Sequence, residues 1–385
     1  MSASSHVVQE DFFVPVEGDE TYVRAWRLKF LLEQQIAHGE KPFEDEPISY
    51  ISGHCKLLSP RHLQKLSQGE ASQALSLEKP EPDAPLFSVV TVCLNSASFI
   101  GRAIESVLSQ THPSFEYVIQ DGGSIDGTCD IIQSYAAKAR INWVSKPDKA
   151  TLDGMLRAVK RCRGKYIAVC WADDELLPRA LEWAEHKFRQ SDADIIYGDQ
   201  ILANDMTGTQ HITRGNTWDG RRFFFNQFYP PFSSSYFSRD ILLKLGELLK
   251  TFDHDEYEFW CLLDQLGKIR YVPGITSKFH IHERTSWMHE GAPKHIARMR
   301  NGKQKALERM AGLNMLPYPK EVVAPMVDLW AALHLLYNAP QLEDIVGYLE
   351  QAVAGYNGDH RYYAFVPFLG NALIKAYDEQ RLSFA

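Results

Sequence analysis

The sequence predicts an α/β protein: a doubly wound, mostly parallel sheet with helical additions at its N- and C-terminal ends. Three observations carry this. From Phe87 onward, short β-branched apolar runs alternate with amphipathic stretches of helical period. Acidic and amide side chains fall just after those runs, at the strand ends where ligands of such sheets collect. From about Ala292 the pattern is helical alone.

Residues 1–84 begin polar, carry one aromatic helical segment, DETYVRAWRLKFLLEQQI, and close in the linker-like LSQGEASQALSLEKPEPDAP. Trp26 and Phe30 stand four apart and share a helix face, a pattern of packing against a neighbouring domain. FSVVTVCL, bounded by Pro85 and Asn95, is too short for a helix and reads as a buried strand. The helix FIGRAIESVLSQ, the strand FEYVIQD, a helix after GGSIDGT and the strand INWVSK follow. The helix LDGMLRAVKRC then leads to the strand KYIAVCW. Short links between these elements imply right-handed crossovers.

Beyond about Asp192 the texture is mixed. DIIYGDQILA reads as a strand, TWDGRRFFFNQFYPPFSSSYFSRD as aromatic loops, DEYEFWCLLDQLG as a helix, and IRYVPG and TSKFHIH as two further strands. The expected organisation is an extension and linker over 1–84, a catalytic domain over 85–290 and a helical region over 291–385. The terminal helices are read as a packing or assembly module, with a homo-oligomer as one outcome.

Composition narrows the function classes. In 385 residues, 45% are apolar and 23% charged, as in ordinary globular proteins. The formal net charge of −8 argues against a nucleic-acid or anionic-membrane partner. A diphosphate ligand would then need a local positive charge, which makes a metal ion worth seeking. Six cysteines without a CxxC pair read as reduced core residues. The opening MSASSHVVQEDFF lacks a secretory core, and no apolar run reaches membrane-spanning length. The expectation is a cytoplasmic protein, with a peripheral place at the inner membrane face as the variant of that reading.

Alone, DGGS at 121–124 is a turn, and WADDELLP at 171–178 is an acidic turn before a helix. Together they place several carboxylates at one sheet edge, with roughly fifty residues of βα structure between. Carboxylates crowded in this way repel one another unless a cation is present. Oxygen ligands of this type suit Mg²⁺ or Mn²⁺, held through one or two carboxylates plus substrate phosphates.

The stretch from Phe87 to Pro178 resembles family 2 glycosyltransferases, which have the GT-A fold. The matching pieces are SVVTVCLNSASFIGRAIESVLSQTHPSFEYVIQDGGSIDGT, SKPDKATLDGML and RGKYIAVCWADDELLP. A weaker likeness continues through PPFSSSYFSRD, DEYEFWCLLDQLGKIRYVP and FHIHERTS. The resemblance implies roles. Thr91 and Asn95 would line the nucleoside pocket, and Asp121 would accept a hydrogen bond from the base. Asp148 and Asp153 would approach the donor. Asp173 would bind the metal with Asp174 beside it for the donor sugar, and His282 would reach the metal or the diphosphate. Glu256 would be the catalytic base with Asp255 in reserve, and Tyr229, Phe232 and Tyr236 would shape the acceptor side.

The chain also departs from the family pattern. Trp171 stands at the first position of the usual DxD, and Ala150, Leu156 and Ala158 replace a glycine, an asparagine and a glycine around DKATLDGMLRA. The implied reaction is inverting transfer of a sugar from a nucleoside diphosphate, UDP first, to the hydroxyl of a glycan, lipid-linked or protein acceptor. The alternatives are a catalytically silent nucleotide-sugar binder and a nucleotidyltransferase. The latter calls for a glycine-rich, basic phosphate loop where LNSASFIGRA stands.

Overall fold

The computed structural model describes residues 84–215, 218, 229–248, 256–285, 291–316 and 320–338, with positions 347–348, 351 and 354. Trp26, Phe30, Cys55 and Asp255 lie outside the described residues.

β1 (Phe87–Cys93) is buried at all seven positions. It runs parallel to β2 (Phe115–Asp121) on one side and to β4 (Tyr166–Val169) on the other. A strand flanked on both sides and covered on both faces has no solvent face to show, hence its mostly apolar run, in which Ser88 and Thr91 are the polar positions and are buried too. β3 (Ile141–Ser145) extends the parallel set beyond β2. The crossovers are α1 (Ile100–Leu108), α2 (Thr128–Ala136) and α3 (Thr151–Val159). Alternate residues of β1 serve opposite faces. Val90 and Val92 pack with Leu152, Met155 and Leu156 of α3, while Phe87, Val89 and Cys93 pack with Ile100, Ile104 and Val107 of α1.

The second half comprises β5 (Glu175–Leu176), α4 (Ala180–Arg189), β6 (Ile195–Asn204), β7 (Thr209–Thr213), β8 (Ser235–Ser238), α5 (Arg239–Leu248), α6 (Glu256–Leu266) and β9 (Ile269–Ile281). Among the described residues, one sheet holds every strand in the order β3-β2-β1-β4-β8-β6-β9-β5, with β7 on β6. The α/β architecture is the expected one. Its parallel pairings are β3-β2-β1-β4 on one side and β6-β9 on the other, and β8 enters antiparallel to both β4 and β6.

Three local features differ from the sequence reading. SYFS, taken as loop, is strand β8, and RDILLKLGEL behind it is helix α5. IRYVPG and TSKFHIH form one strand, not two. Its irregularity is absorbed opposite Asp199, where the register against β6 shifts. Asp199 accepts hydrogen bonds from the Gly215 and Gly274 N–H groups and the Tyr271 hydroxyl, which fixes the offset.

α7 (Ala292–Gly312) and α8 (Lys320–Asn338) follow. Ala306, Leu307, Met310, Val323 and Val327 share one core with Phe259, Trp260 and Leu263 of α6. Arg309 pairs with the fully buried Glu258 of α6. Lys303, also fully buried, lies over the rings of Tyr229, Tyr257 and Trp330 at 4.5, 5.2 and 3.9 Å, a cation–π cage. The core therefore runs across the 290/291 boundary, and the C-terminal helices back the helix that carries Glu256. Among the described residues no helix is long and apolar enough to cross a membrane, and the five described cysteines are free thiols.

Candidate active site

The ends of β1, β2 and β3 are level: Cys93 pairs with Asp121, and Asp121 with Ser145. Three turns leave this edge together with the strand end at β4. Thr91, two residues before the end of β1, is buried and shares a 2.9 Å hydrogen bond with the Tyr117 hydroxyl. It belongs to the wall beneath the site. Asn95, in the turn after β1, has a positive φ of 51°, a conformation asparagine tolerates. Its N–H donates to Ser124 Oγ at 2.7 Å and its Oδ1 accepts from the Ile125 N–H at 3.0 Å. Its carbonyl accepts from Arg284 Nη2 at 2.6 Å. Asn95 thus ties three loops into one rim.

Asp121 is buried, and both its oxygens are occupied. Oδ2 accepts from the Gly123 and Ser124 N–H groups at 3.0 and 2.9 Å and from Ser145 Oγ at 2.6 Å, while Oδ1 accepts from Ser124 Oγ. Burial raises its pKa, but the Ser124, Ser145 and backbone hydrogen bonds outweigh it and hold the carboxyl below its usual value. A lowered folded pKa means that this stabilisation is present above the unfolded carboxyl's pKa. It is lost as pH falls through the folded value. The side chain builds the DGGS turn, whose Gly123 takes a φ of 95°. Asp121→Ala strands several donors, each costing about 1–3 kcal/mol when buried and unmet. It should therefore lower the unfolding midpoint as well as ligand affinity, which chemical denaturation measures directly.

Asp148 lies against two glycines. A Cβ on Gly122 would meet its Oδ2 at 3.1 Å, and one on Gly154 would meet that oxygen and Val92 Cγ1 at 2.8 Å. The absence of side chains there makes the space for this carboxylate. Its pKa is raised, first by burial, then by the charges of Asp153 and Asp121, with Arg157 opposing. Asp153 faces its own helix start: Oδ2 accepts from the Lys149 N–H at 2.9 Å and pairs with Arg157 at 2.7 Å.

Across the edge, after β4, Asp173 Oδ2 stands 3.2 Å from His282 Nε2. Asp173 is more than a third exposed and His282 nearly buried. Phe99 stacks on the His282 ring at 4.0 Å, and the Arg284 guanidinium lies 5.7 Å over Phe99. His282 Nδ1 accepts the Arg284 N–H at 3.2 Å, so the ring proton sits on Nε2 and points at Asp173.

Two donors sharing an octahedral cation at about 2.0–2.1 Å stand about 3 Å apart, and the Asp173–His282 spacing matches. Ligation through Nε2 would move the ring proton to Nδ1 and cost the Arg284 hydrogen bond, about 0.5–1.5 kcal/mol. That is small beside a metal bond. Among the described residues no group of three or more His, Cys, Asp or Glu converges as a ready cage. The pair therefore fits Mg²⁺ or Mn²⁺ that takes its remaining ligands from phosphates and water.

Asp174, by contrast, is fully buried. It accepts hydrogen bonds from Ser233 Oγ and, at 3.3 Å, from the His280 N–H. Burial, then the charge of Asp173, pushes its carboxyl well above the usual range. These bonds lock the 231–234 turn and β9 to the acidic turn.

That lock extends to Glu256. Trp171 packs on Phe232 at 4.9 Å, Phe232 on Trp260 at 5.7 Å, and Trp260 Nε1 stands 3.3 Å from Glu256 Oε1. Glu256 opens α6 and is half-buried. Tyr236 and Phe232, expected on the acceptor side, are buried core residues instead: Phe232 packs in the cluster of Trp260 and Phe259, and Tyr236, on β8, in the cluster of Phe87 and Ile104. Tyr229 is half-buried against Lys303. Sequence reasoning missed Ser233, Arg102, Phe99 and His280. Only the alternation in FHIH, which puts His280 and His282 on one side of a strand, hinted at the last.

A family model described as glycosyl transferase family 2 matches residues 88–250. A chondroitin synthase of Escherichia coli is 37% identical over 107 residues, covering 28% of this chain and 16% of that protein. A PGL/p-HBAD biosynthesis glycosyltransferase of Mycobacterium bovis (strain BCG / Pasteur 1173P2) is 33% identical over 127 residues, 31% of this chain and 48% of its own. The chain spans no more than half the length of the curated relatives it matches first. Among solved structures, S. aureus TarS 1-349 in complex with UDP-GlcNAc aligns with a TM-score of 0.52 at 15% identity. The alignment covers 76% of this chain and 88% of that one, a likeness of fold.

Proposed function

This chain belongs to glycosyltransferase family 2 through residues 88–250, and we propose that it transfers a sugar from a nucleoside diphosphate, UDP first, to an acceptor hydroxyl with inversion. The observation that carries this reading is the meeting of Asp173 and His282 across 109 residues of sequence, 3.2 Å apart on the edge where Asn95 and Asp148 also stand. A built anionic edge with a two-donor cation site is what a diphosphate requires in a chain of net charge −8.

In this reading the Asn95 rim and the turn built by Asp121 receive the nucleoside. Asp121 acts on the base through the Gly123–Ser124 turn that its carboxylate holds. Asp148, in its glycine-lined place, faces the donor sugar. A bound divalent cation supplies Lewis-acid neutralisation of the diphosphate. Glu256 accepts the acceptor's proton while the hydroxyl oxygen bonds to the anomeric carbon and the carbon–oxygen bond to the diphosphate breaks. Attack opposite the leaving group inverts that centre, and no covalent enzyme intermediate is needed. The relatives' roles in chondroitin and PGL/p-HBAD synthesis favour a glycan or lipid-linked acceptor in polysaccharide or glycoconjugate synthesis.

The test is release of free UDP from a panel of UDP-sugars with Mn²⁺, with and without candidate acceptors. Cation-dependent release from at least one donor is expected. Binding of a UDP-sugar without release under any condition would favour the silent binder instead.

A further inference from the structure

A second polar cluster lies behind the Asp173–His282 pair, and no step above uses it. His280, 5% exposed, has Nδ1 at 2.7 Å from Asp205 Oδ1 and Nε2 at 2.7 Å from Glu175 Oε1. Arg102 of α1 closes the ring. Its Nη1 donates to Asp205 Oδ2 at 3.2 Å, and its Nε lies 3.8 Å from Glu175 Oε1. Lys278 Nζ stands 3.6 Å from Glu175 as well. The third direction of the guanidinium is turned to the acidic turn: Nη2 donates to the backbone carbonyl of Asp173 at 3.1 Å. The His280 N–H meanwhile holds Asp174 Oδ1.

We propose that Arg102 is a positioning residue for the cation-binding carboxylate. The Glu175–His280–Asp205 ring fixes its guanidinium, and the guanidinium fixes the backbone of Asp173. The fork geometry matters, because a planar guanidinium can serve Asp205 and the Asp173 carbonyl at once in fixed directions, whereas an ammonium is a point charge. Four elements meet here: α1, the β5 turn, the end of β6 and β9. The carboxylate on the acidic turn and the imidazole on β9 are therefore held in one frame. The inference rests on the cation-site reading of Asp173, and its test separates the two.

Mn²⁺ binding is followed by loss of the free Mn²⁺ electron paramagnetic resonance signal, with and without UDP, for wild type, Arg102→Lys and Glu175→Gln. Unfolding midpoints are measured alongside. With UDP present, Arg102→Lys should weaken Mn²⁺ binding by roughly 10–100-fold, the scale of outer-sphere changes at metal sites. Glu175→Gln, which touches nothing on Asp173, should weaken it by a smaller factor in the same direction. UDP affinity without Mn²⁺ should stay put. Lower midpoints with unchanged Mn²⁺ affinity would make the ring structural glue and overturn the proposal. Should Arg102→Lys not fold, unchanged Mn²⁺ affinity in folded Glu175→Gln overturns it equally. A wild type that takes up no Mn²⁺ with UDP defeats the cation-site reading itself, and the positioning role with it.

Discussion

Asp173→Asn abolishes cation-dependent turnover of the nucleotide sugar, by at least roughly 10³-fold, while the protein stays folded. The amide is nearly isosteric, and its oxygen still accepts from His282 Nε2, which stands 3.2 Å from Oδ2 in the native protein. The Arg102 contact is to the backbone carbonyl and survives. What disappears is the negative charge that a divalent cation requires. Because the side chain is more than a third exposed, its replacement should move stability by no more than about 0.5 kcal/mol. Turnover kinetics at saturating Mn²⁺ and a thermal melt check both halves. Full activity in this variant, or in wild type with excess EDTA, removes Asp173 from the chemistry.

Glu256→Gln cuts kcat by roughly 10²–10⁴-fold, the usual scale of general-base catalysis, or about 2.7–5.4 kcal/mol of barrier. Glutamine keeps an oxygen for the Trp260 Nε1 contact at 3.3 Å but cannot take the acceptor's proton. The plain alternative is a helix-end charge: Glu256 and Glu258 lie in the first turn of α6, where an acidic group contributes about 0.3–1 kcal/mol. The two roles part in measurement. A base lowers kcat with donor affinity and melting temperature unmoved. A helix-end charge lowers the melting temperature and spares turnover, in which case Asp255 is the next residue to substitute.

The parallel strands β1 to β4 were legible because burial on both faces leaves a short, mostly apolar run with no alternation of exposed polar residues, as in FSVVTVC. β8 was not. Four residues, SYFS, pair antiparallel between β4 and β6 inside an aromatic stretch with no strand-length pattern of its own. α5 was missed behind it, although Ile241, Leu242 and Leu245 carry a helical buried stripe. In the site, residue types were legible but side-chain bonding was not. Asp121, Asp174 and Thr91 all carry polar atoms near strand ends, yet their hydrogen-bonding capacity is spent on Ser124, Ser233 and Tyr117. Nothing local in the chain announces those partners. Asp173 and His282 lie on different strand ends, and only the family resemblance linked them in advance. The Arg102–His280 ring had no signature beyond the alternation in FHIH, since its members come from four separate elements.

Calorimetric titration of the full chain with a panel of nucleoside-diphosphate sugars, each with Mn²⁺ and with EDTA, tests the central claim most directly. A nucleotide-sugar site completed by a cation predicts that at least one donor binds, that binding is tighter with Mn²⁺, and that Asp173→Asn erases the difference. By mass action, a donor at a hundred times its Kd should also stabilise the fold by about 2.7 kcal/mol. Absence of binding by every donor in both conditions, or an affinity indifferent to Mn²⁺ and to Asp173, would contradict it.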